Sequence, residues 1–220
     1  MAKPVKGKRA YDASGRQAQA ATNQRAVVAA ASELFLRDGY GHTTIAAIAK
    51  AAGVSAETIY ATFGSKAELL HRVWDVTVGG DDEEVVFHER PEVQALMAEP
   101  DLRIRLRRNA RLSAATAERT GPFLLMVQSA SGAEPAAAAM VEEMGRQRFE
   151  GIGVMARAAA ATGQLAVSED ECRDVVWTTT DGMLWHRLVR ERGWSQERYA
   201  TWLGDLWVSV LVDAQPSTPG

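Results

Sequence analysis

With 220 residues, 46% of them hydrophobic, the chain can bury the core of one or two ordinary domains, and no apolar run in it is long enough to span a bilayer. Its formal charge of −3 hides an asymmetry: residues 1–75 hold ten Lys/Arg against six Asp/Glu, and the remainder fifteen against twenty-two. A basic N-terminal part on an acidic body is the balance of a DNA-binding head, whereas four scattered His and a lone Cys172 offer no disulfide and no nucleophile beside a base.

Richness in Ala, Arg, Glu and Leu, with few β-branched runs, predicts an all-α fold. The N-terminus MAKPVKGKRA has charges but no apolar stretch behind them, so no secretory signal is read. A single cysteine fits a reducing cytoplasm.

Residues 1–21 carry Lys3, Lys6, Lys8, Arg9 and Arg16 against Asp12 alone, with almost nothing to bury. They predict a partly disordered basic arm that turns helical after Ser14, where Ser14 and Gln17 have capping-box spacing. Two readings stand for it: a solvated tail, or an arm that reaches phosphates or a minor groove.

Residues 22–75 read as one unit. Val27, Val28, Ala31, Leu34 and Phe35 predict an amphipathic helix from Gln24 to Asp38, stopped by Gly39. In TTIAAIAKAAGVSAETIYATFGSK, residues 43–66, the spacing of Ile45, Ile48, Ala49 and Ala52 predicts a short helix ending at Gly53. Ser55 is a good N-cap for the next helix, Ala56 to Phe63. That helix has only Ile59 and Phe63 as large inward residues, and its small outward face is shaped for a major groove. Ser65, with Glu68 at capping-box spacing, opens a further helix through Leu69, Leu70, Val73 and Trp74. Lys66 in its first turn is either a phosphate clamp or an exposed lysine.

These residues resemble the N-terminal domain of TetR-family transcriptional regulators. The resemblance is carried by Leu34-Phe35, Gly39-Tyr40, Thr44, Ile48-Ala49, Ala52-Gly53-Val54-Ser55, Thr58-Ile59-Tyr60, Phe63 and Ser65-Lys66. The chain departs from the pattern at Thr62, where the family usually has His or Tyr. The resemblance implies a three-helix helix-turn-helix domain followed by a helical ligand-binding and dimerisation domain. It also implies a homodimer on a palindromic double-stranded operator, most simply a repressor released by a largely apolar small-molecule effector. Thr44, Thr58, Tyr60, Thr62 and Lys66 would then hold the DNA backbone while Ala56 and Glu57 reach base edges, with Ser55 also in the DNA-binding set.

Gly79-Gly80 and the acidic run 81–84 mark a boundary, after which residues 76–213 form the body and 214–220 a disordered tail. His88 beside those carboxylates reads as a loop or a metal ligand, without helical spacing to fix a site. Pro91 and Pro100 each suit the opening of a helix. On the helix predicted for 101–118, Asn109 shares a face with Leu102, Leu106, Ser113 and Thr116 and is either a satisfied core amide or an anchor in a ligand cavity. Gly121-Pro122 predicts a new helix, 123–130, and Pro135 opens the longest, 136–162. Phe123, Met126, Met144, Phe149, Met155 and Trp177 are core or adaptable pocket wall.

Ser168, with Glu171, predicts one helix to Gly193, and Ser195 caps the last. Both are too apolar to be covered on one side only. Gly182, Met183, Val189, Leu203, Gly204, Leu206 and Val210 are therefore read as a four-helix interface between two copies, with the two glycines in mid-helix for close approach. Asp181 is an interface hydrogen-bonder or a pocket acid. No cofactor and no metal is called for. The alternatives to a regulator are a ligand-independent DNA-binding or interaction module and an all-α enzyme.

Overall fold

The computed structural model describes residues 9–80 and 90–213, with side chains from Gly15 onward. The first eight residues of the arm, the acidic run 81–84, His88 and the tail 214–220 lie outside the described residues, as does the side chain of Ser14. The fold is all-α, and among the described residues there is no strand. The chain divides into two units, Met1–Asp75 and Val76–Gly220.

The first unit begins with α1, Arg9–Asp38. This helix starts earlier than the Ser14 boundary, because residues 9–21 contain five alanines and neither Pro nor a β-branched residue to interrupt it. Gly39, at φ +82°, ends it. Buried Thr43 then ties the connecting loop back, its hydroxyl lying 2.8 Å from the Gly39 carbonyl and 3.1 Å from that of Leu34.

Helix α2, Ile45–Ala52, is capped at its start by Thr44, whose side chain accepts from the Ala47 amide at 3.1 Å. Gly53, at φ +69°, closes its end. Ser55 caps α3, Ala56–Phe63, by accepting from the Thr58 amide at 3.2 Å. Ser65 caps α4, Lys66–Gly79, in the same way through the Glu68 amide at 3.1 Å. Val27, Ala31, Phe35, Ile48, Ile59, Leu69 and Val73 bury almost completely and form the core of this unit. Burial of each of the larger ones contributes about 1.5–3 kcal/mol.

In the second unit α5 spans Pro91–Met97, α6 Leu102–Ala130, α7 Pro135–Ala160 and α8 Glu169–Thr179. Helix α9, Met183–Trp185, continues as a π-helical turn, His186–Glu191, and α10 is Gln196–Leu211. Two boundaries differ from expectation. Helix α6 runs straight through Gly121-Pro122. An interior proline costs about 3 kcal/mol, but continuing the helix buries Phe123 and Val127 beyond it, which offsets that cost.

The run expected as one helix from Ser168 to Gly193 breaks instead after Thr179. Gly182 takes φ +83°, and the Asp181 carboxylate accepts from the amides of Met183 at 2.9 Å and Leu184 at 3.4 Å. Asp181 is thus a local helix cap, and Gly182 is a turn residue rather than a mid-helix one. A Cβ at position 182 would also stand 3.1 Å from Leu124 Cδ2. Gly182→Ala should therefore lower the stability of this unit by about 1–2 kcal/mol, read as a shift of the urea midpoint at constant slope.

Helix α10 lays Tyr199, Ala200, Leu203, Gly204, Trp207, Val208 and Leu211 onto α6, against Leu102, Leu106, Ala110 and Ala114. Leu203 is fully buried, and a Cβ at Gly204 would come within 3.1 Å of the Arg107 Cα. Leu203, Gly204 and Gly182 accordingly pack inside the chain and are withdrawn from the intersubunit set. Their small and apolar character serves α6 and Leu124 of the same molecule. Met183, Val189, Leu206 and Val210 remain half-exposed. Arg105 braces the unit from within, its guanidinium donating to the carbonyls of Glu99 and Ala158. Cys172 is buried, and that burial, with Glu169 nearby, pushes its thiol up to about 11.

Candidate nucleic-acid interface

The N-terminal unit presents α3 to solvent because it holds that helix by few anchors. Ile59 is buried and Phe63 half-buried, while Ser55, Glu57, Thr58, Tyr60, Ala61 and Thr62 are exposed and Ala56 half-exposed. Tyr60 is 54% exposed, a large amphipathic ring that the protein itself leaves uncovered. Exposed Thr44 stands at the start of α2. Its oxygen already accepts from Ala47, so its hydroxyl hydrogen can serve an external acceptor such as a phosphate oxygen. Ser55 and Thr58 share a hydrogen bond of 3.1 Å between their hydroxyls at the α3 cap. The Glu57 carboxyl is held below the usual carboxylate range, first by its own backbone N–H and then by the Ser55 hydroxyl.

Two expected phosphate ligands are committed elsewhere. The Thr62 hydroxyl donates to the Thr58 carbonyl at 2.8 Å. A hydroxyl has one hydrogen and a phosphate oxygen can only accept, so in this rotamer Thr62 is no donor to DNA. The Lys66 ammonium turns inward, donating to the carbonyls of Tyr40 at 2.8 Å and Thr43 at 3.0 Å, and lies 4.1 Å from the centre of the Tyr40 ring. It braces the α1–α2 loop against the start of α4. A group not singled out in the sequence is Lys50, exposed near the end of α2. Its signal was available, because it is the sole cation on α2 and α3.

In the second unit the expected pocket residues separate. Phe123 and Met144 are buried, and Met126, Met155 and Asp181 half-buried. Asn109 and Met155 come together across α6 and α7, the amide donating to the thioether sulfur. Phe149 and Trp177, 40% and 38% exposed, meet edge to face at 6.1 Å on the outer side of α7 and α8. Arg173 lies over the first ring and Arg148 over the second. Arg148 also caps the end of α8 by donating to the Trp177 carbonyl. Each of these two rings thus stands at the surface with a cation over it, apart from buried Phe123 and Met144. Two buried polar atoms that sequence reasoning missed have no hydrogen-bond partner among the described residues: the Thr116 hydroxyl on α6 and the Gln196 amide nitrogen on α10. The Gln196 oxygen accepts from Trp185 Nε1 at 2.7 Å. Among the described residues no group of three His, Cys, Asp or Glu could hold a metal, and no helix is long and apolar enough to cross a membrane.

Two short helices joined by a glycine-capped turn, the second anchored at Ile59 and otherwise turned outward, define a helix-turn-helix DNA-binding protein. Residues 27–73 match the model of the bacterial regulatory proteins of the tetR family, so this stretch is a DNA-binding domain of the tetR type.

Likeness to solved structures extends over both units. NalD of Pseudomonas aeruginosa, the secondary repressor of the MexAB-OprM multidrug efflux pump, is 18% identical over 88% of this chain and 98% of its own, with a TM-score of 0.62. The TetR-family regulator PfmR of Thermus thermophilus is 20% identical over 82% and 96%, with a TM-score of 0.56. A Saccharomonospora viridis protein in complex with choline is 22% identical over 86% and 97%, with a TM-score of 0.60. At such identities the likeness is one of fold. No match is found among the curated proteins.

Proposed function

We propose that the protein is a cytoplasmic homodimeric repressor that places two copies of α3 in successive major grooves of a palindromic operator and is released by a small-molecule effector. The observation that carries this reading is the outward face of α3, where Ala56, Glu57, Thr58 and Tyr60 serve no core. Thr44 and Tyr60 hold the backbone, and Ser55 and Thr58, whose hydroxyl hydrogens serve Glu57 and each other at the α3 cap, join them once those bonds are exchanged for phosphate. Ala56 can touch only a thymine methyl, and Glu57 accepts from a cytosine amino group.

Dimerisation is supported by the apolar stripe of Trp202, Leu206 and Val210, spaced four residues apart along α10 and half-exposed in the isolated chain. The effector is small and largely apolar, with a hydrogen-bonding group for the polar stripe that Asn109 and the unpartnered Thr116 hydroxyl give α6. It acts by preferring a conformation in which the two heads no longer match the operator.

Selection of bound fragments from random duplex DNA tests the reading. The expected product is a palindrome with half-sites about 34–36 Å apart, and failure to retain any duplex at low ionic strength would overturn it. Leu206→Arg should give folded monomers that bind the palindrome at least about 100-fold more weakly, since each half-site contact must then form separately. Sedimentation of that variant as a dimer would place the interface elsewhere.

A further inference from the structure

Guanine presents only acceptors to the major groove, and the side chains that read them carry N–H donors. Helix α3, AETIYATF, contains no Lys, Arg, Asn, Gln, His or Trp, so none of its side chains offers an N–H group. The sole such group on α2 and α3 is Lys50, and it stands in the last turn of α2, the helix that crosses the backbone in this motif. Hydroxyls do not take the place of those donors. Ser55 and Thr58 bond to each other at 3.1 Å, Thr62 donates to the Thr58 carbonyl at 2.8 Å, and Tyr60 is the residue placed on the backbone above. What α3 turns toward a base edge is therefore one acceptor and two methyl groups, with Glu57 and Ala61 exposed and Ala56 half-exposed.

Glu57 and Ala61 are four residues apart, so they stand side by side on the helix surface with Cβ atoms about 5–6 Å apart. Ile59 is buried and Phe63 half-buried on the inward side, which keeps the pair turned away from the core. Bases on one strand follow each other at about 3.4 Å, so a carboxylate that meets one base leaves the methyl beside that base or its neighbour. An ionised carboxylate can only accept. Cytosine suits it better than adenine. Beside the cytosine amino group lies the apolar C5 position, whereas beside the adenine amino group lies the N7 lone pair, which repels the second carboxylate oxygen. C5 is also where thymine carries its methyl, the apolar feature of the major groove that an alanine can meet.

We infer that Ala61 is a further specificity-determining residue: Glu57 accepts from the amino group of a cytosine, Ala61 packs on the C5 methyl of an adjacent thymine, and α3 thereby selects this pair of pyrimidines without reading guanine. The inference rests on the proposed DNA-binding function and goes beyond it by adding Ala61 and by naming the bases that must be neighbours.

The test uses the full-length protein and the operator selected from random duplex DNA. Deoxyuridine, which lacks the methyl, is placed at each thymine in turn. A thymine beside a cytosine in each half-site should then bind about fourfold more weakly, the effect of one buried methyl group. Ala61→Gly should bind the thymine and deoxyuridine operators alike. That comparison is made within one variant, so any loosening of α3 by glycine cancels, and the response of the native chain needs no variant at all. Glu57→Gln should lower the preference for cytosine over thymine at the neighbouring position by about tenfold or more. It should also tighten binding to a scrambled duplex, because a carboxylate beside the phosphates is removed. Guanines of the half-site replaced by 7-deazaguanine, which lacks the N7 acceptor, should leave affinity within about twofold. Deoxyuridine without effect beside every cytosine, an unchanged cytosine preference in Glu57→Gln, an Ala61→Gly chain that still tells thymine from deoxyuridine there, or a loss of about tenfold on 7-deazaguanine would overturn the inference and leave operator binding standing. Failure of the native chain to bind any duplex would instead remove the DNA-binding reading and the inference with it.

Discussion

Leu203→Arg should unfold the C-terminal unit rather than merely separate two subunits. Leu203 is fully buried in the α6–α10 contact, between Ala200 and Trp207 on its own helix and beside Gly204, where an added Cβ would stand 3.1 Å from the Arg107 Cα. A guanidinium forced there has no carboxylate to meet, because Asp205 and Asp213, the acids of this region, are exposed and engage Arg107 and Arg103 at the surface. An unpaired buried charge costs about 3–5 kcal/mol, to which the lost leucine packing adds about 2 kcal/mol or more. Against a total of about 5–15 kcal/mol for a domain, that removes most or all of the stability. Loss of helical circular dichroism with aggregation is the expected result. A soluble, fully helical monomer would place Leu203 at a subunit face and refute the packing described above. The contrast with Leu206→Arg, one turn away on the half-exposed side, makes the pair a map of which face of α10 is internal.

The second large effect is expected at Lys66. Replacement by Met keeps the apolar stem and removes the ammonium that joins the Tyr40 and Thr43 carbonyls and lies over the Tyr40 ring. Hydrogen bonds to a charged group contribute about 1.5–3 kcal/mol, and carbonyls left without their donor add to the loss. A destabilisation of about 2–3 kcal/mol is expected, confined to the first unit. It should appear without DNA as faster amide exchange across residues 39–66. A lysine whose work was to bind phosphate would behave otherwise. Its loss would leave exchange unchanged and make operator binding less salt-dependent by about one phosphate.

The difference between these outcomes shows what was readable in the chain and what was not. Thr44, Ser55, Ser65, Ser168 and Ser195 act as caps to amides three residues ahead, and Gly53 closes its own helix, so each is a local event that spacing reveals. The two-anchor character of α3 was legible for the same reason. The fate of Lys66 was not, because its acceptors lie 23 and 26 residues away. Pro122 was misread as a boundary because the burial that carries α6 past it belongs to tertiary packing. Leu203 and Leu206 looked alike because an apolar surplus on α10 does not say whether α6 or a second copy covers it. Phe149 and Trp177 were read as core or pocket wall on aromatic character, and their exposure was not legible because the arginine over each ring comes from the neighbouring helix. Thr62 is the exception. A threonine inside a helix commonly bonds back to the carbonyl four residues earlier, so its preoccupation could have been read from position alone.

The contact at Gly204 sets a rule for anyone redesigning the second unit. An added Cβ at Gly204 would stand 3.1 Å from the Arg107 Cα, so α6 and α10 must part by a few tenths of an ångström to admit even a methyl group there. Libraries that test the proposed effector should leave positions 107, 110 and 204 fixed and place their diversity at Asn109, Ser113 and Thr116, the polar stripe of α6 proposed to meet it.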